Sequence, residues 1–153
     1  MSDEAIQSRI QADLTAAMKS RDAGTLSTLR MLKTAIMEAR TKKAKDAPFT
    51  VEEEIEVLQR YVKKRREVIE EMQKLGRDDV IARERREIEV TMRYLPQPAG
   101  EEEIRRLIQE TIARTGAAGA KDMGKVIGAV MSQVKGRAEG STVSRLAKEE
   151  LKI

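Results

Sequence analysis

Six cations, Lys121, Lys125, Lys135, Arg137, Arg145 and Lys148, fall between residues 121 and 148, where the carboxylates are Asp122 and Glu139. That segment carries the same net +4 as the whole 153-residue chain. Side chains of this kind work by holding anions: lysine and arginine neutralise backbone phosphates and release counterions, so affinity falls steeply with salt. Arg137 stands in a glycine-flanked turn, Lys135-Gly-Arg-Ala-Glu-Gly140, and Ser141 is placed to open a helix whose free N–H groups could hold a phosphate. The bland alternative is a solvated basic face beside a capped helix.

A denser run, Lys63-Lys64-Arg65-Arg66, reads differently. Consecutive helical residues point about 100° apart, so these four surround their helix and form no single stripe. Glu67, Glu70 and Glu71 lie at pairing distance, which predicts mutual salt bridging on a wet surface. Arg65 is the exception, because it occupies an apolar seam position between Val62 and Ile69. Either it meets a buried carboxylate or the seam opens there for a partner.

The missing residue types limit the chemistry further. With no histidine and no cysteine, the commonest general base, zinc sites built on their usual ligands, disulfides and the Ser-His-Asp and Cys-His nucleophile systems are all excluded. Carboxylate, lysine, tyrosine or hydroxyl chemistry stays open, but no motif places a Ser–Lys pair. The expectation is a protein without catalytic activity, metal or cofactor. Phe49, Tyr61 and Tyr94 are the aromatic residues, too few for base-stacking platforms. Any RNA would be read by shape, backbone and 2′-hydroxyl contacts.

The elements that must position these residues are helices. Hydrophobic residues at 40% and charged residues at 37% suit a folded, water-facing chain and neither a disordered nor a membrane one. No apolar run approaches the ~18 residues that would span a bilayer. The Met-Ser-Asp-Glu start lacks a signal-peptide layout, so a cytoplasmic location is expected. A first helix is predicted over about Asp3–Arg21, with Ile6, Ile10, Leu14, Ala17 and Met18 inward, closed by Asp22-Ala-Gly24. A second over about Thr25–Lys43 carries Leu26, Leu29, Leu32 and Ile36. Thr50-Val-Glu-Glu53 is a capping box opening a third helix to about Leu75, and Gly76 ends it. A fourth follows over about Asp78–Leu95, pairing with the third as a hairpin.

Pro96-Gln-Pro98-Ala-Gly100 breaks the chain. Beyond this hinge, helices are predicted over about Glu101–Arg114, from Asp122 to about Val134, and from Ser141 with Val143, Leu146, Ala147 and Leu151 inward. Met123, Val126, Ile127, Val130, Met131 and Val134 form an apolar stripe, read as core. Gly124 and Gly128, four apart, predict close approach by a neighbouring helix or, failing that, by a ligand backbone such as RNA. The fold reading is all-α: an N-terminal domain of long antiparallel helices over 1–95, a hinge at 96–100, and a compact three-helix domain over 101–153.

Four segments in this order, Ser27-Thr-Leu-Arg30-Met-Leu-Lys33, Tyr94-Leu-Pro96-Gln97, Lys121-Asp-Met-Gly124-Lys125-Val-Ile-Gly128 and Lys135-Gly-Arg137-Ala-Glu-Gly140, make the chain resemble the GatB/YqeY family over essentially its whole length. The tail is similar to the C-terminal domain of the B subunit of the glutamyl/aspartyl-tRNA amidotransferase, which helps hold tRNA. The chain departs from that pattern at Met131-Ser132-Gln133, where Met-Pro-Lys is expected, and at Glu139, where aspartate is commoner. The resemblance implies a tRNA-associated binding protein whose contacts are Lys121, Lys125, Lys135, Arg137, Arg145 and Lys148. Any carbon–nitrogen ligase activity with glutamine as amido donor would be inherited from the relative, whose catalytic parts have no counterpart here. The alternative is a protein–protein adaptor that docks an aminoacyl-tRNA synthetase or amidotransferase without touching RNA.

Overall fold

The computed structural model describes residues 5–134 and 136–153. The chain divides into two units, one ending at Leu95 and one running from Pro96 to Ile153. The described secondary structure is helical throughout.

The first unit holds α1 (Ile6–Ser20), α2 (Ala23–Thr41), α3 (Val51–Leu75) and α4 (Asp78–Met92). Helix α1 packs chiefly on α2, and α3 on α4. Ile6, Ile10 and Leu14 of α1 meet Leu29, Leu32 and Ile36 of α2, with Val57, Leu58 and Tyr61 of α3 closing the same core. Met18 does not join it: at 59% exposure it faces solvent. The start predicted for α1 at Asp3 lies outside the described residues.

The joint between α1 and α2 differs from the glycine stop read in the sequence. Arg21, not Gly24, takes the left-handed conformation, at φ 58°. The Asp22 carboxylate accepts from the Thr25 N–H at 3.2 Å and so caps α2, leaving Gly24 inside the helix. Asp22 outcompetes the glycine because an aspartate at an N-cap satisfies an orphan donor. At α3 the capping box is formed as read, with Thr50 and Glu53 serving each other's backbone N–H, and Gly76 closes the helix in the left-handed conformation. Helix α4 is shorter than its apolar pattern suggested and ends at Met92.

Helix α1 has no side-chain cap of its own. Glu54 of α3 supplies one: its carboxylate accepts from the Gln7 N–H at 2.8 Å, although the residue is only 1% exposed. Burial raises this carboxyl above its ordinary value despite the backbone donors at Gln7 and Ile6.

The second unit holds α5 (Glu101–Thr115), α6 (Met123–Val134) and α7 (Gly140–Leu151), with a 3-10 turn at Ala120–Asp122. Each helix packs on the other two. Ile104 and Ile108, Val126, Val130 and Val134, and Val143, Leu146 and Ala147 fill the core from the three sides. The stretch before α5 belongs to this unit: the Ala99 N–H donates to the Arg137 carbonyl at 2.7 Å.

Candidate nucleic-acid interface

Helix α6 has two faces of opposite character. Val126, Val130 and Val134 are fully buried, while Lys121 and Asp122 in the turn before the helix lead into a second face with Gly124, Lys125, Gly128 and Ser132, where all but Asp122 are exposed. The two glycines do not serve helix packing. A Cβ built on either would meet nothing within 4 Å, so the expectation of a close neighbouring helix is overturned. The apolar stripe already seats α6 on its neighbours, which leaves Gly124 and Gly128 on the outer side. Each glycine costs an interior helix about 0.8–1 kcal/mol relative to alanine, and no contact in the described structure offsets it. The result is a low ridge of accessible backbone flanked by Lys121 and Lys125.

The other cations predicted for the site divide by what holds them. Lys148 of α7 is exposed, and among the described residues Lys121, Lys125 and Lys148 form no ion pair. Arg137 is bound inside the unit. Its guanidinium grips Glu103 of α5 with both ends, at 3.0 and 2.9 Å, and its Nε–H donates to the Gln97 carbonyl at 2.9 Å. Together with the Ala99 bond, this staples the turn after α6 to the start of α5. Arg145 spans from α7 to Glu101 and also reaches Glu149 at 3.4 Å, and these carboxylates raise its pKa, the hydrogen bond it donates to Glu101 contributing most. Lys135 lies outside the described residues.

Two local readings change in the same region. Helix α7 begins at Gly140 with Glu139 in the N-cap position, so Ser141 lies inside the helix and makes no cap. The Glu139 side chain makes no cap bond there either. The Asp122 carboxylate closes the preceding turn by accepting from the Ala118 N–H at 2.9 Å.

In the first unit, Arg65 takes the first of its two predicted roles. Its Nε lies 2.9 Å from Glu87 and 3.3 Å from Glu84, both on α4, and its guanidinium covers the Tyr61 ring at 4.2 Å. The Tyr61 hydroxyl donates to the same Glu87 oxygen at 3.1 Å. Burial, and next the neighbouring Glu87 charge, push Glu84 above the ordinary carboxylate value. The salt bridging expected along the basic run does not extend to Lys63 and Lys64, which form no ion pair among the described residues. Two features escaped sequence reasoning: the buried Glu54 cap and the α2–α3 cleft described below. Glu54 is one of three adjacent glutamates, and only its place opposite α1 distinguishes it.

Among the described residues no helix is long and apolar enough to cross a membrane, and no cluster of three acidic side chains could hold a metal ion. The architecture is thus that of an all-helical protein with two separate cores and a lysine–glycine face on the second. The chain belongs to the YqeY-like family, whose description it matches over residues 7–151. It is similar to the altered inheritance of mitochondria protein 41, mitochondrial, of Pyrenophora tritici-repentis (strain Pt-1C-BFP), at 33% identity over 136 residues, spanning 87% of this chain and 73% of that protein.

Proposed function

We propose that this protein is a non-catalytic tRNA-associated binding protein that meets the RNA backbone with the exposed face of α6. The observation that carries the reading is the pairing of Lys121 and Lys125 with Gly124 and Gly128, which have open space above them. A phosphate strand can approach such a ridge to backbone distance, while lysines beside it neutralise charge. The resemblance of the tail to the tRNA-holding domain of the amidotransferase supports the same choice. We assign the working contacts to Lys121, Lys125, Lys135 and Lys148. Arg137 and Arg145 act indirectly, by fixing α5 against the ends of α6 and α7. The setting is an aqueous compartment, which we take to be the cytoplasm; the fungal relative carries a mitochondrial name.

Fluorescence anisotropy with unfractionated tRNA tests this. Three phosphate contacts predict an affinity loss of roughly 40-fold between about 50 and 200 mM salt, and six predict about 10³-fold. Lys121→Glu/Lys125→Glu should abolish binding at the higher salt with helix content intact. Salt-independent or variant-independent binding would sink the proposal. Wild type that fails to bind tRNA would favour the adaptor reading, for which α2 offers exposed Met31 and Met37, adaptable side chains common on binding surfaces.

A further inference from the structure

Between α2 and α3 lies a cleft of about 460 Å³, within the ~300–1,000 Å³ typical of small-ligand sites. Its apolar lining is Ala35, Ala39, Val57, Phe49 and the ring of Tyr61, all in or against the core of the first unit. Five cations also face it, and two are already paired, Lys43 with Glu53, which lines the same cleft, and Arg65 with α4. Lys43 bonds Glu53 at 2.5 Å and the Pro48 carbonyl at 2.7 Å, and Arg65 is held by Glu84 and Glu87. Lys42, Arg60 and Lys64, from both walls, form no ion pair among the described residues. Glu38 and Glu56 line the same space and likewise make no ion pair there.

This mixture selects a ligand chemistry. An acidic peptide would satisfy the cations but brings no hydroxyl donors for Glu38 and Glu56. A simple hydrocarbon anion would satisfy the cations but make no use of either carboxylate. A nucleoside phosphate satisfies all three features: its phosphate meets the cations, its ribose hydroxyls donate to a carboxylate, and its flat base covers the apolar lining. Phe49 already carries Arg40 over its ring at 5.6 Å, so the base would lie on the aliphatic surface and the ring edge, without a full aromatic stack. We propose that the α2–α3 cleft binds a nucleoside 5′-phosphate, either free or as the phosphorylated end of an RNA strand. This site is independent of the α6 face and stands whether or not that face binds tRNA.

NMR titration of the full chain tests it, using AMP, GMP, CMP and UMP, with inorganic phosphate and adenosine as separate controls. The expected result is saturable shifts at Ala35, Ala39, Phe49 and Lys64, with a Kd below about 1 mM. Arg60→Glu/Lys64→Glu on one wall and Lys42→Glu on the other should each weaken binding at least ~10-fold, a shift of about 1.4 kcal/mol. All three positions are solvent-exposed, so helix content should persist, and Lys19→Glu, exposed on α1 and outside the cleft lining, should bind like wild type. A short single-stranded RNA with a 5′-phosphate, compared with its 5′-hydroxyl form, separates the sources. Tighter binding of the phosphorylated strand than of its 5′-hydroxyl form, with shifts at the cleft residues, assigns the site to an RNA end, and equal binding of the two strands beside saturable mononucleotide shifts assigns it to free nucleotide. The proposal is overturned if no shift saturates, if phosphate or adenosine alone reproduces the shifts, or if both wall variants bind like wild type.

Discussion

Glu54 does two opposed things at once. Its carboxylate caps α1 from another helix, through the Gln7 N–H, yet its burial makes the charge expensive and raises the carboxyl above its ordinary value of 4.5. Glu54→Ala should therefore cost about 1–3 kcal/mol, because the backbone donors it served lose their partner. Glu54→Gln keeps an acceptor and removes the charge. A carboxyl whose folded value exceeds its unfolded one binds its proton more readily when folded. Its contribution to stability is thus greatest at low pH and declines as pH rises from 4.5 through the raised value. Urea denaturation of wild type and Glu54→Gln across that window should show wild type losing ground to the variant as pH increases. A difference curve that is flat, or slopes the other way, would remove the desolvation argument. Arg65 was legible in the sequence because a charge in an apolar seam must be answered, and Glu84 and Glu87 answer it. Glu54 was not, because Glu52, Glu53 and Glu54 all suit a helix N-terminus and only tertiary packing across 47 residues picks one of them.

At the scale of elements, periodicity located the helices well, and the errors fell at their joints and on their outer faces. The α1–α2 joint was misplaced because a glycine is the usual left-handed stop, while here Arg21 adopts that conformation and the Asp22 cap fixes where α2 starts. The α6 glycines were misread because a four-residue glycine spacing is compatible with helix contact and with an open ridge alike. Only the position of the apolar stripe relative to α5 and α7 decides between them. The open ridge makes a two-sided prediction. Gly124→Ala and Gly128→Ala have room for the added methyl and should each stabilise the protein by roughly 0.5–1 kcal/mol through helix propensity. Gly124→Gln/Gly128→Gln should also be at least as stable as wild type in thermal denaturation, yet bind tRNA more weakly because the long side chains stand where the backbone was accessible. Stability and binding moving in opposite directions distinguishes a contact surface from a merely tolerated pair of glycines. Variants that gain stability and keep full affinity would rule out backbone approach at α6.

The two separate cores set the largest-scale expectation. Ile104, Ile108, Val126, Val130, Val134, Val143, Leu146 and Ala147 form a closed set within Pro96–Ile153, so this segment should fold when expressed alone. At about 60 residues such a unit buries only ~60% of its unfolded surface and is marginal, which gives its polar staples unusual weight. Arg137 is the chief one, joining Glu103, the Gln97 carbonyl and, through its own carbonyl, Ala99. A fragment spanning 96–153 should therefore unfold cooperatively, while one spanning 101–153 loses the Gln97 and Ala99 bonds and should be less stable by about 1–2 kcal/mol. Arg137→Lys in the longer fragment should fall between them, since lysine restores the charge but not the two-pronged grip on Glu103. Circular dichroism with urea gives the order of stability, and anisotropy with tRNA on the same samples gives function. If the 96–153 fragment keeps the affinity and salt slope of the full chain, and Arg137→Lys lowers stability while leaving tRNA affinity unchanged at temperatures where the fragment stays folded, then Arg137 is a structural staple and the lysines carry the RNA. If Arg137→Lys instead lowers affinity and the salt slope in a fragment that remains fully folded, the guanidinium leaves Glu103 to bind phosphate, and the contact set grows beyond the lysines of α6 and α7.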